Sequence, residues 1–132
     1  MSELFTSIGH VEIDGDRMRL VGNAPQVNGV YAWVFDKQLQ YIGVANRAKG
    51  GLHARLSMYL RRATHVSFGT RKDGKSGTTT AMRDAIRSRV EAGGEVKVMV
   101  VPVDEIPEGD LAEFEKRAIQ ELRPPRNKVH RN

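Results

Sequence analysis

The sequence predicts a single α+β domain, a small antiparallel sheet flanked by helices. Two runs rich in aromatic and β-branched residues, Gly29–Phe35 and Gln40–Val44, flank a short polar connection at Asp36–Leu39, the pattern of a hairpin. Three later stretches carry apolar residues at helical spacing. Between the second and third lies Glu95–Val103, which alternates at Val96 and Val98 and then turns continuously apolar, as a buried strand does. At 132 residues the chain has room for one core and not for two.

In chain order, residues 1–27 are read as an N-terminal arm and 28–132 as the main domain. His10–Ile13 and Arg17–Val21 flank Asp14-Gly15-Asp16, and Asp-Gly is a two-residue turn signal, so an extra β-hairpin is expected there. The sequence leaves open whether that hairpin extends the sheet or stands apart. Gly22–Asn28, with Pro25, reads as a connector. In the central hairpin, side chains alternate, so Val30, Ala32 and Val34 share one face and Tyr31, Trp33 and Phe35 the other. A register centred on Asp36–Leu39 lets the phenols of Tyr31 and Tyr41 approach each other across neighbouring strands.

After a loop at Val44–Gly51, Leu52–Arg62 places Leu52, Leu56, Tyr59 and Leu60 at helical spacing, with Arg55 and Tyr59 stacked on one flank. Residues 63–80 form a Gly/Thr/basic loop. Thr80 or a neighbouring threonine caps a helix at about Ala81–Ala92 with Met82, Ala85, Ile86 and Val90 inward, and Gly93-Gly94 stops it. Asp110 caps a last helix to about Leu122. Its stripe is Leu111, Phe114, Ala118, Ile119 and Leu122, and it ends before Arg123-Pro124-Pro125. The order is two strands, two helices, a strand and a helix.

Charge is unevenly spread. The formal net charge is +5, yet Arg55–Arg89 alone holds nine basic residues against Asp73 and Asp84. A concentration of that kind suits a polyanionic partner. The absence of cysteine excludes disulfides and thiolate metal sites. No apolar run has the length of a membrane span and no basic start leads into one, so an intracellular, cytoplasmic protein is expected.

Gly29-Val30-Tyr31 and Tyr41-Ile42-Gly43 together resemble the signature pair of the GIY-YIG nuclease superfamily. Three further pieces agree with that resemblance. Arg55 followed four residues later by Tyr59 is similar to the first-helix motif of the excision-repair incision subunits. Glu115, with Ile119, Pro124 and Asn127 at four, nine and twelve residues beyond it, follows the C-terminal pattern. Glu115 also lies on the helix after the third strand, as the family has it. The resemblance covers about residues 28–128 and implies a three-stranded sheet with helices around it (ββααβα), here with the additional N-terminal hairpin. It departs from the repair members at Val44, where they often carry lysine, and in the longer segment between Gly43 and Arg55. Arg47 or Lys49 would be the replacement cation.

The resemblance implies a metal-dependent endonuclease that hydrolyses phosphodiester bonds in DNA, with RNA not excluded. Glu115 would hold one divalent ion, Mg²⁺ or Mn²⁺. Mg²⁺ suits a lone carboxylate because it keeps several waters. Arg55 would clamp the scissile phosphate with its planar fork. Tyr31 and Tyr41 would orient or deprotonate the attacking water, which requires nearby positive charge to lower a phenol from its ordinary pKa near 10. Which of the two takes the proton stays open. Tyr59 would hydrogen-bond the phosphate or the base, and Gly29, Gly43 and Asn127 would shape the site. His53 and His65 are weaker candidates.

For nucleic-acid contact the residues are Arg47, Lys49, Arg61, Arg62, Arg71, Lys72 and Lys75, several of them in the Gly-rich loop whose amides also suit phosphates. No base-reading module is evident, so specificity would come from loops, the arm, a second copy in a homodimer or a partner protein. The rival reading is a catalytically inactive nucleic-acid-binding module with the same fold. A binding module has no chemical need for Glu115, whose charge repels a phosphate unless a metal intervenes.

Overall fold

The computed structural model describes residues 2–46, 50–60 and 78–127. Five strands form one antiparallel sheet: β1 (Thr6–Asp14), β2 (Arg17–Gly22), β3 (Gly29–Phe35), β4 (Gln38–Ala45) and β5 (Val96–Pro102). Their spatial order is β2-β1-β5-β3-β4. The three-stranded part expected from the sequence is β5-β3-β4, and the N-terminal hairpin β1–β2 is an edge extension, with β1 paired to the free side of β5. Lying between β1 and β3, β5 explains its continuously apolar sequence: Val96, Val98, Val100 and Val101 are all buried.

Among the described residues, three α-helices pack on the sheet: α1 (Gly51–Leu60), α2 (Thr78–Glu91) and α3 (Leu111–Leu122). Strand alternation sorts the core into two layers. Tyr31, Trp33 and Phe35 face Leu52, Leu56 and Tyr59 of α1 and Met82 and Ile86 of α2. Val30 and Ala32 face Leu111, Phe114, Ala118 and Ile119 of α3. The sheet is thus sandwiched between α1 and α2 on one face and α3 on the other. Asp110 caps α3, its carboxylate accepting from the Glu113 amide at 3.0 Å. Arg123, in the left-handed region, ends the helix.

Turn positions differ slightly from the sequence reading. Asp14 pairs with Arg17, so the first hairpin turns at Gly15-Asp16, and the left-handed Gly15 supplies the reversal. The second hairpin turns on Asp36-Lys37 alone rather than across Asp36–Leu39, with both residues at positive φ. Asp36 tolerates this because its surroundings hold it. Its carboxylate accepts from the Glu95 amide at 2.9 Å and pairs with Arg89 at 2.9 Å, and its own amide donates to the Glu95 carbonyl. Arg87, two residues earlier on α2, donates to the Asp16 carbonyl at 3.0 Å. Two arginines of α2 therefore tie down the two hairpin turns, a use of positive charge that composition does not reveal.

Candidate active site

The site grows from the face of β3 that meets α1. Tyr31 and Tyr59 are fully buried, and their hydroxyls lie 2.6 Å apart, either one able to donate. Arg55, half-buried on α1, donates from Nε to the Tyr31 hydroxyl at 3.2 Å and lies over the Tyr59 ring with its guanidinium carbon 5.3 Å from the centroid. The Tyr59 ring meets Tyr31 and Trp33 edge-on, at centroid distances of 5.7 and 5.4 Å. Helical spacing puts Arg55 and Tyr59 on one flank, and strand alternation puts Tyr31 and Trp33 beneath them. The result is a rigid seat for one guanidinium.

Two glycines make that seat possible. A Cβ on Gly43, which pairs with Tyr31, would sit 2.4 Å from the Tyr31 hydroxyl oxygen and ring. The phenol lies across the bare backbone of β4. A Cβ on Gly29 would meet the Val101 carbonyl at 2.5 Å and a Leu52 methyl at 2.8 Å, so its absence lets α1 approach the sheet.

Tyr41 is opposite Trp33 and on the same face as Tyr31, but the two phenols are diagonal neighbours and do not bond each other. The Tyr31 hydroxyl is taken by Tyr59 and Arg55. Tyr41 is half-buried, and its hydroxyl makes no hydrogen bond to another described residue. Burial pushes the Tyr41 phenol up to about 12; the neighbouring Tyr31 and the Glu115 carboxylate push the same way, and Arg55 opposes them. Burial likewise raises Tyr31 and raises Tyr59 well above the ordinary phenol. Burial pulls Arg55 down, but the surrounding phenols more than offset it, so the guanidinium stays charged.

Glu115 is half-buried on α3, which packs against β3 and β4. Its helix covers the opposite face of the sheet, and its carboxylate is the weakest of the influences that raise Tyr31 and Tyr41. Among the described residues no three His, Cys, Asp or Glu side chains gather into a cage. Asn127 is buried at the edge of β4, where its side chain accepts from the Ile42 amide and donates to the Ile42 carbonyl, both at 2.8 Å. It acts as a one-residue strand partner between Tyr41 and Gly43.

The structure therefore brings together Tyr31, Tyr41, Arg55, Tyr59, Glu115, Gly29, Gly43 and Asn127. His53 lies on the other flank of α1, where it lines a groove of about 540 Å³ with Arg19, Asn23, Gln26 and Ser57, away from Arg55. Arg47, Lys49, Arg61, Arg62, Arg71, Lys72, Lys75 and His65 lie outside the described residues. The sequence reading missed Arg126, which adjoins the site through Gln40; only its place beside Asn127 could have drawn attention to it. Among the described residues no helix is long and apolar enough to cross a membrane.

No protein-family model matches the chain, and no curated protein matches it. Among solved structures, a bacteriophage T4 EndoII mutant is similar, with a TM-score of 0.69 and 17% sequence identity, covering 96% of this chain and 94% of the other. The coverage includes the N-terminal hairpin, so the likeness extends beyond the three-stranded part. The chain has the GIY-YIG fold, extended at its N-terminus by a hairpin that widens the sheet to five strands.

Proposed function

We propose that the chain is an endonuclease that hydrolyses phosphodiester bonds in DNA with one divalent cation. The observation that carries this reading is a guanidinium seated on two buried phenols beside a half-exposed third: Arg55 donates to the Tyr31 hydroxyl at 3.2 Å and lies over the Tyr59 ring, and Tyr41 shares their face of the sheet. The structural likeness to EndoII supports nuclease activity in general and DNA as the substrate.

The residues divide the work by exposure. Arg55 meets the scissile phosphate and stabilises the negative charge that develops on its oxygens during attack. Tyr31 and Tyr59, buried to zero exposure, do not reach a substrate; they hold Arg55 by its Nε and its face. Tyr41 is the phenol that meets substrate. At neutral pH it carries its proton, so it orients the attacking water by hydrogen bonding; taking the water's proton requires added positive charge, a direction in which Arg55 already pulls. Glu115, a carboxylate with no cage of His, Cys, Asp or Glu around it among the described residues, would hold a hard divalent ion of the kind that keeps most of its waters. When bound there, such an ion would supply charge stabilisation to the phosphate oxygens and would lower the pKa of nearby acids. The basic residues of 47–75 supply sequence-independent phosphate contacts.

The test is cleavage of supercoiled plasmid, linear duplex, flap and four-way junction with Mg²⁺, Mn²⁺ or EDTA. Cleavage that disappears in EDTA supports the reading, and the preferred substrate identifies the DNA structure acted on. Salt-sensitive binding with no cleavage of any substrate would instead favour an inactive nucleic-acid-binding module.

A further inference from the structure

The pairing of β3 with β4 contains one extra residue. Phe35 opposes Gln38 and Val34 opposes Leu39, but Trp33 opposes Tyr41, so Gln40 has no partner and forms a β-bulge. Side chains alternate strictly along a strand, so the extra residue inverts every face after it. Leu39 and Ile42 join the α3 layer, whereas Tyr41 and Gly43 lie on the face of Trp33 and Tyr31. Regular pairing would turn Tyr41 towards α3 and put the Ile42 side chain where the bare Gly43 backbone now accepts the Tyr31 ring. The bulge is therefore what brings both signature tyrosines to one face.

Something must hold it. The Arg126 amide donates to the Gln40 carbonyl at 3.0 Å, and Arg126 Nε donates to the Gln40 side-chain oxygen at 3.3 Å. The Arg126 guanidinium also lies over the Phe35 ring, 5.8 Å from its centroid, on the strand opposite. Arg126 thus spans the hairpin at the bulge, and Asn127 takes Ile42 just beyond it. The C-terminal turn grips the chain on both sides of Tyr41.

We propose that Arg126 is a positioning residue: by locking the Gln40 bulge, it aims the Tyr41 hydroxyl at the site. The catalytic part of this inference rests on the reading of Tyr41 as the phenol that meets substrate; the structural part does not. Arg126 is exposed and meets the core from its surface, at the Phe35 ring, so Arg126→Ala is expected to fold.

The experiment uses the full chain labelled with 3-fluorotyrosine. Its three tyrosines give three ¹⁹F resonances, with Tyr41 assigned by Tyr41→Phe. Arg126→Ala and Gln40→Ala are expected to shift or broaden the Tyr41 resonance and leave Tyr31 and Tyr59 in place. Cleavage should lose about 10- to 100-fold in kcat with KM unchanged, the scale of a misplaced catalytic group, and Arg126→Lys should recover only part of it. An unmoved Tyr41 resonance overturns the proposal. So does a change in all three resonances together, which would make Arg126 a general stabiliser. If the wild type cleaves nothing, the nuclease reading fails, while the ¹⁹F spectra still decide whether Arg126 aims Tyr41.

Discussion

Each of the chain's three tyrosines is raised by burial, and the consequence is open to direct measurement. An ordinary phenol titrates near 10. In the native, metal-free protein, tyrosinate absorbance at 295 nm should stay flat through about pH 10 and rise only as Tyr41 approaches 12. Because the folded-state pKa lies above the unfolded one, the phenols' contribution to stability is fully present below about pH 10 and is lost as pH climbs towards 12. Denaturation midpoints that already fall between pH 7 and 9 through tyrosine ionisation would contradict this. Gly43 gives a second test at this scale. Gly43→Ala forces the new methyl into the Tyr31 phenol and should cost about 1–3 kcal/mol in chemical denaturation, the usual scale of overpacking. Tyr59→Phe removes one partner of the Tyr31 hydroxyl and should cost about 1 kcal/mol.

Among the elements, the β3–β4 turn is the clearest case of local preference overridden by tertiary contacts. Asp36 and Lys37 both sit at positive φ, where an L residue pays about 1–2 kcal/mol and where glycine is favoured at the second position. Lys37→Gly should therefore raise stability by about 0.5–1 kcal/mol, the gain reduced by the greater freedom of the unfolded chain. Asp36→Ala should lower it by about 1–2 kcal/mol, because it removes both the acceptor for the Glu95 amide and the partner of Arg89. Thermal or urea unfolding of the two variants decides both. Gln40 makes the matching point about legibility. The residues of the hairpin are plain in the sequence, and so is the split of Val30 and Ala32 from Tyr31 and Trp33. The bulge is not, because nothing in Gln38–Ala45 demands it. It is selected by Arg126 and its neighbour Asn127, whose contact to Ile42 spans 85 positions. Pairing decided over such a distance leaves no local trace.

For the whole molecule, the α+β class, the Asp110 cap, the inward stripes of α2 and α3 and the placing of Tyr31, Arg55 and Tyr59 on facing elements were legible in the sequence. The docking of the N-terminal hairpin was not legible, since its alternation is equally compatible with an independent arm. Its fate is set by β5, which needs a partner on its second edge. Val11 and Met18 of that hairpin belong to the same buried layer as Trp33 and Ile86. Removing residues 1–24 would strip β5 of its neighbour and uncover that layer. The truncated chain should lose cooperative unfolding, and a truncated chain that melts like the full one would show the hairpin to be an appendage. Position in space also changes the meaning of charge. Arg87 and Arg89 counted towards the basic middle of the sequence, but they are committed to hairpin turns.

In the proposed nuclease, Tyr41, Arg55 and Glu115 form one hydrolytic site, in which Tyr31 and Tyr59 support Arg55 from below. This arrangement is tested most directly by nicking of supercoiled plasmid in Mg²⁺ by the wild type, Glu115→Ala and Tyr41→Phe, with DNA binding measured in EDTA alongside. Nicking by the wild type, a loss of at least about 10²-fold in both variants, and unchanged binding by Tyr41→Phe are expected. Wild-type rates in Glu115→Ala, with the protein folded and bound to DNA, would contradict it.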